Sequence, residues 1–516
     1  MIARRRLLAG GAATAALLAT SPVTFASAAS RTRLSRDVFT LGVASGDPLP
    51  HSVVLWTRLA PDPLNGGGMP PRPFPVEWEI AEDERFRRVV ERGTELATSE
   101  LGHSVHAEPR GLRPSASYFY RFRVDGQISP VGRTRTAPSR RSSPQRLRLA
   151  FASCQDWQAG FYSAYRGMAA EDVDVVVHLG DYIYEYGPQP GVRQHDGPEV
   201  DGLDSYRNRH ALYRTDLDLQ AVHAAHPFVV TWDDHEVDNN YADDIPENTN
   251  GPSQGSREAF LQRRANAYQA YYEHLPLRRA QRPDGPDLLL YRRLQFGDLA
   301  ELSILDTRQY RTDQPCGDGL GVRCAAALDP AATMTGPEQE RWLLHGLDRS
   351  EARWNVIGQQ TMLAEYDFLA GPGELFILDQ WDGYVAARNR ILGFLDQRRP
   401  SNPIVLTGDI HSSWVHDLKT DFADPASRTI GTEFVGTSIS SDFPTPLIVP
   451  VTAALPDNPH TRFFDGAFRG YVCCDVTPQQ WTSTFRVVNT ALVPGAPTRT
   501  LATFAVQDRR PGAQPA

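Results

Sequence analysis

Residues 173–187 read VDVVVHLGDYIYEYG, and the fold turns on how that stretch is understood. From Val173 to Leu179 the chain is mostly Val and Leu, interrupted by Asp174 and His178. The run is too short for a helix and does not alternate as a strand with one wet face would. It suits a strand of a parallel sheet that is covered on both sides. The run stops at Gly180, and Asp181, Tyr184 and Glu185 follow within five residues. Open α/β sheets bind ligands beyond the carboxyl ends of their strands, so a buried strand ending in carboxylate and phenol places a site there.

The pattern recurs along the chain. LRLAFAS (147–153) runs into Cys154, Gln155 and Asp156; PFVVTW (227–232) runs into Asp233, Asp234, His235 and Glu236; PIVLTG (403–408) runs into Asp409 and His411. LSILD (302–306) and WNVIG (354–358) are runs of the same kind, and SREAFLQRRANAYQAYYEHL reads as a helix between strands. GYVCCDVT and WTSTFRVVN read as two antiparallel strands that close this part. A single aspartate after a strand is most often a helix cap. Four segments rich in carboxylate, imidazole, thiolate and phenol make one site.

Upstream, from about residue 37 to 136, short alternating runs (SVVLWTRL, PVEWEIAED, SYFYRFRVDG) bounded by Gly, Pro or Asp read as an all-β module. Residues 137–146 have linker composition, 147–507 form the α/β domain, and 508–516 read as a flexible tail.

Arg4, Arg5 and Arg6 precede a short apolar stretch from Leu7 to Leu18 and an Ala26-Ser27-Ala28 cleavage pattern. That reads as a twin-arginine signal peptide over residues 1–28, with a mature protein secreted or held in the cell wall or periplasm. No later segment approaches the ~18 apolar residues of a membrane span, so no transmembrane anchor is expected after cleavage. In an exported chain Cys316 and Cys324, bracketing CGDGLGVRC, are expected to form a disulfide. The net charge of −9 leaves no nucleic-acid footprint, so no nucleic acid is expected as a regulatory partner. It would also repel phosphate anions unless bound cations reversed the sign locally.

The donors at the strand ends suit hard or borderline cations. A thiolate and a phenolate on one metal favour trivalent iron. Asp181 and Tyr184 are three residues apart, so one tight turn can aim both at one ion. The second oxygen of Asp181 can reach another ion, which gives the two-metal clamp used for in-line phosphoryl displacement.

Motifs make the resemblance specific. GD-x2-Y (180–184), DDHE (233–236) and GD-x-H (408–411), each after a strand, resemble the motifs of calcineurin-type metallophosphoesterases. GD-x2-Y is similar to the form in purple acid phosphatases, which use that tyrosine on ferric iron. FASCQ, HLGDYIYEYG, WDDHEVDNNY and TGDIHSSW, with the earlier GVASGDP and VVLWTR, resemble the PhoD-like alkaline phosphatases. The resemblance implies an N-terminal β-sandwich followed by a four-layer αββα metallophosphatase domain, with Fe3+ and Ca2+ as cofactors. It implies Cys154, Asp181, Tyr184 and His411 as iron ligands, and Asp181, Asp234 and Asp409 toward calcium. His235 is implied as the catalytic group at the ester oxygen. Gln359 or Gln360, in WNVIGQQ, stands for the strand-ending histidine of the family's fourth motif, and Asp156 stands where relatives have a histidine ligand.

Two further candidates come from the residues themselves. Arg388 is a candidate for binding phosphate, and Asn239, with Asn240, either caps a turn or supports the ligands. His178 and His416 read as structural. The implied activity is hydrolysis of phosphate mono- or diesters by an activated water, on a small phosphate ester, by a monomer. Two alternatives are a phosphodiesterase or phospholipase D-like enzyme acting on phospholipid or teichoic acid, and an exported binding protein with a structural metal site.

Overall fold

The structure, a computed structural model, describes residues 34, 36–247 and 256–516; the leader read at residues 1–28 lies outside them. Leu147–Ala152, Val175–His178 and Pro227–Val230 form a parallel set at the centre of a ten-stranded sheet. Ala300–Ile304, Trp354–Gly358, Pro403–Thr407 and Thr429–Val435 form a parallel set in a seven-stranded sheet.

The apolar runs explain how the layers stack, because successive side chains of a strand point to opposite faces. Val175, Val177, Val229 and Phe151 face inward to meet Leu302, Ile304, Val356, Ile404 and Leu406 of the other sheet. Their neighbours Val176, Phe228, Val230 and Ala150 point outward, against helices Ser163–Ala169, Leu203–Arg214, Leu217–Ala225 and Arg257–His274. On the far side Ile357 and Val405 face helices Gly336–Arg349 and Val385–Arg398. Each such side chain, fully buried, contributes about 1.5–3 kcal/mol, so the chain forms four layers: helix, sheet, sheet, helix. Among the described residues no helix is long and apolar enough to cross a membrane.

The N-terminal β-rich module is present, with a difference from the expected separate sandwich. Phe74–Ala81, Val89–Ala97, Ser117–Val124, Gln127–Ile128 and Gly132–Arg135 make a sheet of their own. Val43–Leu49, Ser52–Arg58 and Ser104–Ala107 instead extend the ten-stranded sheet, with Ser45 and Gly46 in parallel register with Pro227 and Phe228. Glycine permits that junction: a Cβ on Gly46 would lie 2.5 Å from the Pro276 carbonyl oxygen and 2.8 Å from that of Phe228.

The end of the chain corrects the flexible tail expected at 508–516. Arg510–Pro515 is the edge strand of the large sheet, paired with Thr498–Gln507. Its Pro and Gly are compatible with an edge position, where ladder donors are not all needed. The amides of Gly512 and Ala513 donate to Thr432 Oγ1 and Asp417 Oδ1, each at 3.2 Å, and Ala513 is buried. As expected, Arg469–Val476 and Gln480–Val488 pair antiparallel, and Cys316 and Cys324 are joined by a disulfide.

Candidate metal centre

Because the central strands of each sheet are parallel, their carboxyl ends lie along one edge. The turns there are tight. Cys154, Asp181, Asp409 and His411 all adopt left-handed backbone conformations, with φ of 59°, 56°, 63° and 57°. Non-glycine residues pay a steric cost in that region, and strain of this sort gathers at functional sites. The glycines of both GD pairs let the turns touch. A Cβ on Gly180 would sit 2.5 Å from the Cβ of Asp233, and one on Gly408 would sit 2.5 Å from Ser153 Oγ.

Cys154, Asp181 and His411 present donor atoms within 4.8 Å of one another. The Tyr184 hydroxyl stands among them, donating to Asp181 Oδ2 at 2.9 Å and lying 3.2 Å from His411 Nε2. His411 Nδ1 donates to the Asp442 carbonyl at 3.0 Å, which fixes the tautomer and leaves Nε2 free as a ligand atom. Burial, reinforced by the charge of Asp181, pushes the Cys154 thiol and the Tyr184 phenol well above their ordinary values. Both would ionise only against a cation. Ser441 Oγ lies 2.7 Å from the Tyr184 oxygen and 2.9 Å from the Cys154 carbonyl, within hydrogen-bond reach of both turns.

Next to this pocket Asp233, Asp234 and Asp409 form a second cluster with oxygens within 4.8 Å. The backbone holds Asp234 from both sides: Oδ1 accepts from the His235 amide at 3.0 Å and Oδ2 from the Asn240 amide at 2.8 Å. Asp409 Oδ2 accepts from Gln380 Nε2 at 2.8 Å. Burial, with Asp234, Asp379 and Asp181 nearby and against the pull of Arg308, raises Asp409 to about 7. Asp181 Oδ1, Asp233 Oδ2 and Gln380 Oε1 are buried with no hydrogen-bond partner. Buried polar atoms are rarely left so, and cations between the two clusters would satisfy them. The donor set therefore fits a pair of metal ions.

His235 lies at the junction, within 4.8 Å of donor oxygens of Asp181 and Asp234. Its Nδ1 donates to Glu185 Oε2 at 2.8 Å, and its ring stacks on Tyr184 with centroids 4.1 Å apart. Burial alone would lower its pKa, but Glu185, Asp234 and Asp181 together hold it well above the usual value. Glu236 works underneath, accepting the amides of Asp181, Tyr182 and Asp233 at 3.1, 2.6 and 2.9 Å. One carboxylate thus locks two strand ends in register.

Not every candidate from the sequence comes to the clusters. Gln359 Nε2 donates to the Thr361 carbonyl and Thr407 Oγ1, and its Oε1 accepts from the Trp381 indole. Gln360 is bound to Thr307, Thr231 and Leu305 through both ends. Both side chains are thus bonded at each end to neighbouring turns, and neither is turned to the clusters as the fourth-motif residue was expected to be. Gln380, from a loop, reaches Asp409 instead. Arg388 is likewise corrected: its two outer nitrogens are taken by Asp382 and Glu365, so it braces the fold. Asn239 turns its side chain to Glu247 and only its amide toward Glu185. Asp156 is half-buried and accepts from the Gln158 amide at 2.9 Å, and burial raises its carboxyl above the ordinary range. Arg308, Asp379 and Gln380 were missed as site residues, and Glu185, though read with the segment after its strand, was given no role. Arg308 follows the LSILD run in the same way that Asp181 follows its own strand, and that position was the available signal.

Known proteins resemble the chain over most of its length. A family model described as "PhoD-like phosphatase" matches residues 149–485, and one described as "PhoD-like phosphatase, N-terminal domain" matches residues 25–138. The chain is 50% identical over 481 residues to "Alkaline phosphatase D" of Bacillus subtilis (strain 168), covering 92% of this chain and 82% of that protein. A solved structure of PhoD superposes with a TM-score of 0.90 at 48% identity, over 94% of this chain and 93% of that one. The purple acid phosphatase PPD1 of yellow lupin (Lupinus luteus) shares the fold, with a TM-score of 0.55 at 12% identity over 90% of this chain and 74% of that one.

Proposed function

Since this chain belongs to the PhoD-like phosphatase family, we propose that it is an exported phosphatase that hydrolyses small phosphate mono- or diesters at an iron–calcium centre. The observation that carries this reading is the meeting of Cys154, Asp181, Tyr184 and His411 beside Asp234 and Asp409, with Asp181 Oδ1 buried and unpartnered between them. Thiol, phenol, imidazole and carboxylate suit Fe3+, while the all-oxygen cluster suits Ca2+. When bound, the two ions supply Lewis acidity that neutralises phosphoryl charge and lowers the pKa of a water.

The protein's own part is orientation and proton supply. Glu185 holds the His235 Nδ1–H, so the other ring nitrogen is the one turned to substrate. The surrounding carboxylates keep that imidazole protonated, which suits donation to the leaving oxygen of the ester. Asp181 serves both clusters, and Glu236 fixes its turn. The twin-arginine leader and the disulfide between Cys316 and Cys324 support an extracytoplasmic site of action.

The test is metal analysis of protein exported by its own host, beside assays on one monoester and one diester. Iron and calcium in the preparation, with activity lost on calcium chelation and restored by Ca2+, is the expected result. A fully active, colourless preparation containing zinc alone would sink the iron–calcium assignment.

A further inference from the structure

Four carboxylates, Asp233, Asp234, Asp379 and Asp409, stand around one guanidinium that has no exposure to solvent. Arg308 Nε donates to Asp233 Oδ1 at 2.5 Å, and its Nη1 lies 2.9 Å from Asp379 Oδ2. Its Nη2 lies 3.6 Å from Asp234 Oδ2 and 3.6 Å from Asp409 Oδ1, and hydrogen-bonds to neither. At that range the guanidinium attracts both carboxylates without occupying their lone pairs. The arginine therefore divides the cluster in two. Asp233 and Asp379 are bound to it, and Asp379 is anchored again by Arg311 and by Gln314. Asp234 and Asp409, the pair read above as calcium ligands, are gathered by its charge without being hydrogen-bonded to it.

Resting on that reading, we infer that Arg308 is a positioning residue that stands in for the calcium ion when it is absent. Three buried carboxylates and a partly exposed fourth, Asp409, repel one another without a counter-charge, and burying unpaired charge is costly. One fixed cation holds them together and keeps Asp234 and Asp409 facing each other. The acidic pocket then exists before loading, and calcium enters a formed site instead of building it. Arg308 fits this task because its planar fork addresses two carboxylates by bonds and two more by charge alone. It is carried on the turn after Ala300–Ile304, which Asp306 fastens by accepting the amides of Arg308 and Gln309, each at 3.0 Å. Its position is set by the sheet and not by the metal.

The experiment is thermal unfolding of the full mature protein and its R308Q and R308K variants, each measured after calcium chelation and again with calcium chloride. If Arg308 substitutes for calcium, R308Q loses most of its stability in the chelated state, and its calcium-induced rise in melting temperature is at least about twofold that of the parent. R308K, which keeps the charge, recovers a rise close to the parent's. R308Q that is insoluble without calcium but recovered with it is the extreme form of the same result. Equal loss with and without calcium in both variants would make Arg308 an ordinary strut and overturn the inference, as would R308Q insoluble in both states with R308K behaving as a strut. A parent protein that gains nothing from calcium would overturn the two-metal reading itself, and this inference with it.

Discussion

His235 offers a way to separate proton transfer from metal binding with one substitution. Its Nδ1 is engaged by Glu185 and its ring stacks on Tyr184. His235→Asn is expected to lower turnover by about 10²–10⁴, the usual worth of a general acid, with metal content unchanged by elemental analysis. The loss should shrink for esters of nitrophenol, which leave without a proton. A variant that sheds metal would show the histidine to be a ligand. Tyr184→Phe is expected to keep the fold by circular dichroism and to lose or shift the visible absorption of the iron-loaded protein, because the phenol oxygen meets Asp181 and His411 directly.

At this scale Cys154, Asp181, Tyr184, Asp234, Asp409 and His411 were legible because each ends or closely follows a buried run. Gln380 and Asp379 were not legible, since they come from an irregular loop brought in by tertiary packing. Gln359 and Gln360 misled because a strand-end position does not reveal that the neighbouring turns have already used both ends of an amide.

Among the elements, the edge strand Arg510–Pro515 is the clearest case of composition concealing structure. Pro, Gly and Arg near a terminus suggest fraying, yet what orders them is the open edge of Thr498–Gln507 and the side chains Asp417 and Thr432. None of these is near in sequence to the strand they hold except Thr498–Gln507. Truncation after Asp508 is expected to lower the melting temperature by a few degrees and to raise aggregation on heating, because it bares a long edge. Equal melting and light scattering for truncated and full-length protein would mean that the pairing contributes nothing measurable. Most of the parallel strands, by contrast, were readable, because being covered on two faces demands a mostly apolar run; Thr429–Val435, which carries Thr, Gly and Glu, was not.

For the whole molecule, the N-terminal region and the α/β domain share a sheet. Composition shows a change near residue 137, but backbone pairing carries across it, since Val43–Leu49 lies beside Pro227–Val230. A chain beginning at residue 137 is therefore expected to be insoluble or partly unfolded, as judged by size exclusion and circular dichroism. A soluble, cooperatively melting 137–516 fragment would show that the shared sheet is dispensable. The strand runs by themselves announced only sheets covered on both faces; the four-layer order came from the family resemblance. The shared sheet was not legible, because nothing in a strand's own sequence names a distant partner.

The strand Leu147–Ala152, which leads to Cys154, also pairs with Arg469–Val476 from near the other end of the chain. The ribosome makes the first of these long before the second, so the thiol turn cannot acquire its full setting until Arg469–Val476 has been made. Contacts this far apart in sequence slow folding. The nascent protein must pass through a stage in which its central strand has an empty side, and that stage lasts at least until Arg469–Val476 has been made. An export route that accepts finished proteins, as the paired arginines at the start suggest, would let this wait happen in the cytoplasm, before the chain ever meets the membrane.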